Sequence, residues 1–288
     1  MAVDAPGRAA VARVLADPTW ELIPLKNARD QAGALPPRST VSVTASPAKG
    51  LEVTVELAIE LQRAGHRVVP HLSARMVRDE AHLLALVEPL RAAGIDRAFV
   101  VGGDEEEPGH YPDALSLLQA MAERGVLPAE IGIGCYPQGH AFIPDARLLA
   151  ALSAKARFAS SMTTQLCFDP RAIATWLAAR RADGIDLPVR IGIAGVAEVP
   201  KLLAISARIG VRDASRFVLK NRRFVGQLLR SGGIYRPTGL LEDLAPLMAD
   251  PATGIIGLHV YTFNNVPATV AWWQDLTARL TAEAGAPH

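Results

Sequence analysis

The chain has 288 residues, of which 50% are hydrophobic, and its 30 Lys and Arg nearly balance its 29 Asp and Glu. This balance argues against nucleic acid or an anionic membrane as a partner, and the length suits one large α/β domain or two small ones. Two cysteines, Cys135 and Cys167, are too few for a disulfide framework, so the cytoplasm is the expected compartment.

The first 17 residues predict a short amphipathic helix that extends the fold at its amino end. Charges at Asp4, Arg8, Arg13 and Asp17 interrupt the apolar residues, which is unlike a secretory signal. No stretch of the sequence approaches the roughly 18 apolar residues that a membrane-spanning helix needs.

Strand-like and helix-like segments then alternate along the chain. The predicted strands are Trp20–Pro24, Thr40–Ser46, His66–Ala74, 98–104, Glu130–Pro137, one within Phe158–Asp169, Leu187–Val196 and Gly254–Phe263. The predicted helices are Leu51–Ala64, Asp79–Ala93, Asp113–Arg124, Asp145–Arg157 with Asp145 as its N-cap, Pro170–Ala182, a region from Pro200 to Leu229 broken near Gly210, Leu240–Met248 and Pro267–Ala284. A turn is predicted at Gly232–Gly233.

Eight strands at a spacing of about 25–30 residues predict a (β/α)₈ TIM barrel of the α/β class. An extra helical segment lies between the seventh and eighth strands, and residues 1–288 are expected to form one catalytic domain. A doubly wound parallel sheet is the alternative. The Rossmann fingerprint is absent, because G-I-G-C-Y-P lacks the third glycine, and so is the Walker A motif.

Polar residues follow the strands where a barrel would gather them on one rim. They are Glu21, Thr44, Ser46, His71, Asp104, Tyr136, His140, Gln165, Asn264 and Asn265. Lys49, Arg75 and Lys155 are expected near an anionic ligand. Taken singly, these residues also have structural explanations: Asp104 could cap a helix, His71 could form a core hydrogen bond and Lys155 could be solvated. Their shared position at the strand ends favours one pocket.

The sequence gives little support for a metal site or a nucleophile. His66 and His71 are five residues apart and face opposite sides of a regular strand, and neither H-x-H nor H-E-x-x-H occurs. We therefore expect no bound metal. Cys135 and Cys167 have apolar neighbours, as buried structural thiols do, and no G-x-S-x-G elbow is present.

At these same residues the chain resembles the methylenetetrahydrofolate reductase family, as a divergent member with a single catalytic domain. The matching segments run in order over about residues 18–275: W-E-L-I-P, V-S-V-T, V-V-P-H-L, V-G-G-D, G-C-Y-P-Q-G-H, a lysine in the next helix, T-T-Q-L-C-F-D, I-G-I-A-G-V and H-V-Y-T-F-N. No single segment is decisive, but their order and spacing are specific, and the family is a (β/α)₈ barrel.

The resemblance implies hydride transfer between 5,10-methylenetetrahydrofolate and 5-methyltetrahydrofolate, with FAD as cofactor and NADH or NADPH as co-substrate. It implies Glu21 as the general acid, Asp104 as the residue that binds the pterin and stabilises the cation, and Gln165 as a further pterin ligand. It assigns cofactor binding to seven residues: Thr44, His71, Asp104, Tyr136, His140, Asp145 and Lys155. The expected context is one-carbon metabolism and methionine biosynthesis.

The chain departs from the family pattern mainly on the cofactor side. Gly102 stands where the family has an arginine, Gln138 replaces a glutamate, and A-S-P-A-K-G replaces a glycine-containing loop. Two further readings therefore stay open: direct hydride transfer from NAD(P)H without a flavin, and a barrel that binds a pterin for one-carbon transfer without redox chemistry. A metal-dependent barrel hydrolase is a third. The direction of the reaction and the formation of a homo-oligomer are not decided by the sequence.

Overall fold

The protein is described here by a computed structural model that covers residues 3–208 and 233–284. Eight parallel strands form a closed barrel in the order β1-β10-β7-β6-β5-β4-β3-β2. They are β1 (Thr19–Leu22), β2 (Thr40–Val43), β3 (Arg67–Ser73), β4 (Arg97–Val101), β5 (Glu130–Cys135), β6 (Ser161–Thr164), β7 (Val189–Ala194) and β10 (Ile255–Tyr261). The barrel closes where β1 pairs with β10, Glu21 opposite Tyr261. The predicted barrel is confirmed, and the doubly wound sheet is wrong because an open sheet would leave these two strands unpaired.

Helices alternate with the strands, as predicted. They are α1 (Ala5–Leu15), α2 (Ala28–Ala32), α3 (Gly50–Arg63), α4 (Glu80–Ala92), α5 (Ala114–Glu123), α6 (Asp145–Ala156), α7 (Pro170–Ala182), α8 (Val199–Arg208), α9 (Thr238–Ala249) and α10 (Val266–Ala284). Short α2 and an antiparallel pair, β8 (Ala197–Glu198) with β9 (Ile234–Tyr235), were not predicted. The predicted continuation of α8 to Leu229, its break near Gly210, and Gly232 lie outside the described residues.

The helix ends follow local side-chain chemistry. Asp169 caps α7 by accepting a hydrogen bond from Arg171 N, and Pro170 occupies the first turn, where the missing N–H has no cost. The prediction that Asp145 caps α6 is wrong. Pro144 holds the N-cap position and Asp145 lies in the first turn, where its charge suits the helix dipole.

Strands β1, β2, β7 and β10 are buried on both faces over most of their length, which is typical of parallel strands in a barrel, whereas β4 and β5 alternate buried with less buried residues. Val41, Val100, Ile133 and Leu258 are completely buried in the main core cluster. Helix α1 packs against α9 and α10, where Arg13 donates to the carbonyl of Met248 at 2.6 Å. In the described part of the chain, no helix combines the length and apolar character that crossing a membrane requires.

Arginines and acids pair at the amino end of the barrel. Arg67 Nη2 lies 2.5 Å from Asp17 Oδ1, and Arg97 Nη2 lies 3.1 Å from Glu130 Oε1. Gly257 lies beside them, and a Cβ there would be 2.7 Å from Nη1 at the flexible end of the Arg190 side chain. These charges occupy the end of the barrel opposite the strand carboxyl ends, where ligands bind in barrel enzymes.

Candidate functional site

A buried carboxylate–histidine pair lies where the barrel closes. Glu21 on β1 is 8% exposed and its Oε2 is 3.1 Å from Nε2 of His259, which is 3% exposed on β10. The hydroxyl of Thr262 donates to the Glu21 carbonyl at 2.5 Å. Glu21 is therefore held in place through both its side chain and its backbone. His259, which can also carry a proton, is in contact with the Glu21 carboxyl.

A second histidine, His71 on β3, is also buried in the barrel. His71 Nε2 is 2.7 Å from Ser42 Oγ, and the His71 ring lies 4.8 Å from Phe99 and 6.5 Å from His259, centroid to centroid. Burial, reinforced by His259, lowers the pKa of His71 to about 3. His71 is consequently a neutral hydrogen-bonding group at neutral pH and contributes no positive charge to the site.

Tyr261 forms the wall beside the pair. Its hydroxyl donates to the carbonyl of Thr164 at 3.0 Å, and its ring lies 4.9 Å from His259. Burial, with a contribution from Glu21, raises the pKa of Tyr261 well above its ordinary value, so the phenol stays protonated. A Cβ on Gly192 would come within 2.7 Å of this ring, which explains why the neighbouring strand has a glycine here.

Asp104 follows β4 beyond two glycines with different surroundings. A Cβ on Gly103, which has φ +95, would lie 2.0 Å from Ser73 Oγ, whereas one on Gly102 would meet nothing within 4 Å. Asp104 is exposed at the barrel mouth. It caps no helix, because Asp113 caps the next one, α5, so the structural explanation considered for Asp104 is wrong.

The remaining mouth residues lie on loops after β2, β5 and β6. Gln165 is half-buried, and its Oε1 accepts a hydrogen bond from Leu166 N at 2.8 Å, which leaves the amide nitrogen as a donor. Half-buried Thr44 follows β2 and accepts, through its carbonyl, a hydrogen bond from Thr54 at 2.9 Å. Tyr136 and His140 stack edge to face at 5.4 Å.

The His140 ring, which contacts Tyr136, also contacts the solvent-exposed ring of Phe142. The rings of His140 and Phe142 are 6.0 Å apart, and Phe142 is 88% exposed. Burial, and next the neighbouring Cys135 and Asp104, raises the pKa of Tyr136. Tyr136 and Asp104 thus belong to the same electrostatic environment although they come from different loops.

Two of the predicted cofactor residues lie on helix α6. Asp145 is exposed in the first turn of α6, and Lys155 lies in the last turn of the same helix. Burial lowers the pKa of Lys155, and the nearby Cys135 opposes that effect.

Lys49 Nζ donates to the Pro24 carbonyl at 2.7 Å. A cavity of about 290 Å³ beside Leu90, Arg97 and Leu127 includes none of the predicted site residues in its lining.

Metal and thiol chemistry find no support in the described residues. Within 3–208 and 233–284, no group of three or more His, Cys, Asp or Glu side chains is placed to hold a metal ion. Both cysteines are buried, and burial raises the pKa of the Cys135 and Cys167 thiols, so neither is an activated nucleophile.

Sequence reasoning missed His259 and Ser42 as site residues. Strand alternation contained the signal for His259, since it lies two residues before Tyr261 on the same strand face and H-V-Y-T-F-N was already a recognised segment. Ser42 carries no comparable signal. Its importance comes from the register of β2 and β3, which brings it beside His71.

Comparison with known proteins gives a match to one family model and similarity to several solved structures. The family model described as methylenetetrahydrofolate reductase matches residues 25–276. A GH18 chitinase from Cycas revoluta, in complex with (GlcNAc)4, is similar at 9% identity and a TM-score of 0.49, over 92% of this chain and 100% of that one. A putative lyase/mutase from Burkholderia cenocepacia is similar at 16% identity and a TM-score of 0.48, over 97% and 87%.

Proposed function

The chain belongs to the methylenetetrahydrofolate reductase family, and from that premise we propose that it interconverts 5,10-methylenetetrahydrofolate and 5-methyltetrahydrofolate with NADH or NADPH as the hydride donor. The observation that carries the proposal is the buried Glu21 carboxyl, hydrogen-bonded to His259 at the carboxyl end of the barrel. The reaction consumes a hydride and a proton, so a site for it needs a proton donor in a place that excludes water.

Glu21 is proposed as the general acid. It protonates the nitrogen that leaves when the five-membered ring of the substrate opens, and the resulting iminium carbon accepts the hydride. His259 is the group through which Glu21 recovers its proton, because the two side chains share a hydrogen bond. Positioned general acids of this kind contribute about 10²–10⁴-fold to rate.

Asp104 and Gln165 are proposed to bind the pterin. The exposed carboxylate of Asp104 supplies negative charge facing the cation that develops on ring opening. The Gln165 amide offers a free N–H donor to a heterocycle edge, since its oxygen is already engaged by Leu166. Tyr261 adds a neutral wall beside the reacting atoms.

FAD is the cofactor that the family resemblance implies, and the residues present do not fit it as a set. Thr44, Tyr136 and His140 lie at or beside the mouth. Asp145, by contrast, is exposed in the first turn of α6, and half-buried Lys155 lies in the last turn of the same helix. Space remains open at Gly102, where family members have an arginine side chain. No step of the proposed mechanism is therefore assigned to a flavin.

Direct transfer from NAD(P)H is the second candidate, and the same observation at Gly102 favours it. Without the arginine, the mouth keeps the folate-side residues Glu21, Asp104 and Gln165 and loses a contact on the cofactor side. The residues proposed to bind folate are therefore present whether the hydride comes from a flavin or directly from NAD(P)H. A third reading, pterin binding for one-carbon transfer without redox chemistry, predicts folate binding with no nicotinamide turnover.

The visible spectrum of the purified protein, combined with a turnover assay, distinguishes these readings. Flavin absorbance that is bleached by NAD(P)H and restored by methylenetetrahydrofolate would support FAD. Folate-dependent NAD(P)H oxidation by protein without flavin absorbance would support direct transfer. Folate binding with neither flavin bleaching nor NAD(P)H oxidation would overturn the reductase proposal.

A further inference from the structure

Arg75 faces the loop that carries Asp104 rather than open solvent. It lies in the 3₁₀ turn Ala74–Met76 that follows β3. Its Nε donates to the carbonyl of Glu105 at 2.5 Å and its Nη2 to that of Glu106 at 2.7 Å. Its Nη1 donates to the carbonyl of Pro112 at 3.3 Å. At least three of the five N–H groups of the guanidinium are therefore used within the protein.

The backbone of Arg75 holds the same loop at two further points. Its N–H donates to the carbonyl of Gly102 at 2.9 Å, and its carbonyl accepts a hydrogen bond from Gly109 N at 2.8 Å. A Cβ on Gly109 would lie 2.2 Å from the Val77 carbonyl, so the two segments approach too closely for another residue. One residue thus contacts the loop near its start, middle and end.

The loop has no regular structure, so its contacts order it. Besides those of Arg75, His110 N donates to the carbonyls of Val77 and Arg78, and the side chain of Tyr111 is buried, both near the end of the loop. No helix or strand occurs between Val101 and Ala114, a stretch that the structure describes in full. Three glycines raise its conformational freedom in the unfolded chain, and the acidic run 105–107 repels itself. The planar guanidinium can reach several carbonyls at fixed angles, which a lysine ammonium cannot reproduce.

We propose that Arg75 is a positioning residue for Asp104: it fixes the loop so that the Asp104 carboxylate is presented at the barrel mouth. The Asp104 carboxylate forms no hydrogen bond or ion pair with any residue that the structure describes, so the backbone of the loop sets its location. The proposal rests on the proposed function, in which Asp104 contacts the pterin. It differs from the expectation that Arg75 contacts an anionic ligand directly.

The test is a double-mutant cycle in the full chain, assayed with methylenetetrahydrofolate and NAD(P)H. Arg75→Met should lower kcat/KM for the folate about 10- to 100-fold, the range expected when a reacting group is displaced by about 1 Å. Arg75→Lys should recover part of the loss. In an Asp104→Asn background, Arg75→Met should have little further effect, because the residue it positions is already impaired.

Arg78→Met is the matched control. Arg78 is three residues along the same segment and exposed, and its guanidinium contacts Glu52 at 3.4 Å. Its loss should leave kcat/KM within about twofold. Hydrogen exchange of the loop amides, above all those of Gly109 and His110, which donate to backbone carbonyls, should become faster in Arg75→Met than in wild type or Arg78→Met.

Equal losses in the wild-type and Asp104→Asn backgrounds would overturn the role through Asp104 and indicate direct contact with a ligand. Unchanged kinetics or unchanged hydrogen exchange in Arg75→Met would overturn it as well. Failure of the wild-type protein to bind or turn over methylenetetrahydrofolate would instead refute the proposed function, and with it the link to catalysis. The hydrogen-exchange result would then report on the loop contacts alone.

Discussion

Replacement of His71 by Gln should reduce the sensitivity of the fold to acid. His71 is 8% exposed, and its pKa in the folded protein is lowered to about 3 by burial and by His259. An unfolded histidine has a pKa of about 6.5. Between these values the unfolded chain binds a proton at this position that the folded chain does not, so stability decreases as the pH falls through about 6.5.

The size of the effect follows from the two pKa values. At about pH 5, protonation of His71 in the unfolded chain alone lowers the free energy of unfolding by about 2 kcal/mol relative to about pH 7.5. The figure depends little on the folded pKa, because pH 5 lies well above it. With an unfolding entropy of about 2.1 cal/mol/K per residue over 288 residues, about 2 kcal/mol corresponds to a change in Tm of roughly 3 °C.

Thermal unfolding of wild type and His71→Gln at the two pH values measures the difference. Gln reaches about as far as the imidazole Nε2 and can keep the hydrogen bond to Ser42, so we expect the variant to fold and to lose less Tm on acidification. The exposed His110 supplies the control, since His110→Gln should keep the wild-type pH dependence. Identical losses in wild type and His71→Gln would refute the assignment of His71 as a buried neutral histidine.

Three further predictions concern the site and its packing. Glu21→Gln should keep folate binding but lower kcat about 10²–10⁴-fold, as measured by steady-state kinetics and equilibrium binding, and near-wild-type turnover would disprove its role as the acid. Asp104→Asn should weaken folate binding and also slow hydride transfer, with a combined effect of about 10²-fold in single-turnover assays. Unchanged kinetics would count against the proposed role of Asp104. Gly192→Ala should lower the free energy of unfolding by about 1–3 kcal/mol or more in urea titrations, since its Cβ would lie 2.2 Å from the Thr164 carbonyl. Gly102→Ala, whose Cβ meets nothing within 4 Å, should change it by less than about 0.5 kcal/mol, and equal effects of the two alanines would contradict the packing argument.

The barrel could be predicted from sequence because its strands are short apolar runs separated by amphipathic helices with clear stops. Helix α7 was predicted at Pro170–Ala182, the bounds it has in the structure, since proline marks its first turn. The N-cap of α6 could not be recognised in the same way, because Pro144 caps without a side-chain hydrogen bond. Helix α2 has five residues, too few for a hydrophobic period to be visible.

Residues of the candidate site that follow the ends of strands could be predicted from the sequence. Contacts between side chains that require a particular pairing of strands could not. Positions such as Asp104 and Gln165 follow strands, and a barrel brings those positions to one rim whatever their partners are. The partnership of Glu21 with His259 requires that the first strand pair with the last, across 238 positions of sequence. The direction of the Arg75 side chain depends on the path of a loop that has no regular structure.

In the proposed mechanism, the residues that handle protons and the residues that contact the ligand lie on different strands around the barrel. Glu21, Ser42, His71 and His259 lie on β1, β2, β3 and β10, which are adjacent in the closed sheet, and they are buried and hydrogen-bonded to one another in two pairs. The groups on the loops after β4, β5 and β6 are exposed or half-buried and have donors or charges to offer a ligand.

Two glycines on the β4 and β5 side of the barrel have open space where a side chain would lie. A Cβ on Gly134 would be no closer than 3.8 Å to any neighbour, and one on Gly102 would have none within 4 Å. If the proposed roles hold, substitutions of the buried residues on β10, β1, β2 and β3 should alter proton transfer with little effect on affinity for folate. Substitutions on the loops after β4, β5 and β6 should alter that affinity first. A survey in which Ser42→Ala weakened folate binding more than Gln165→Ala did would contradict this division.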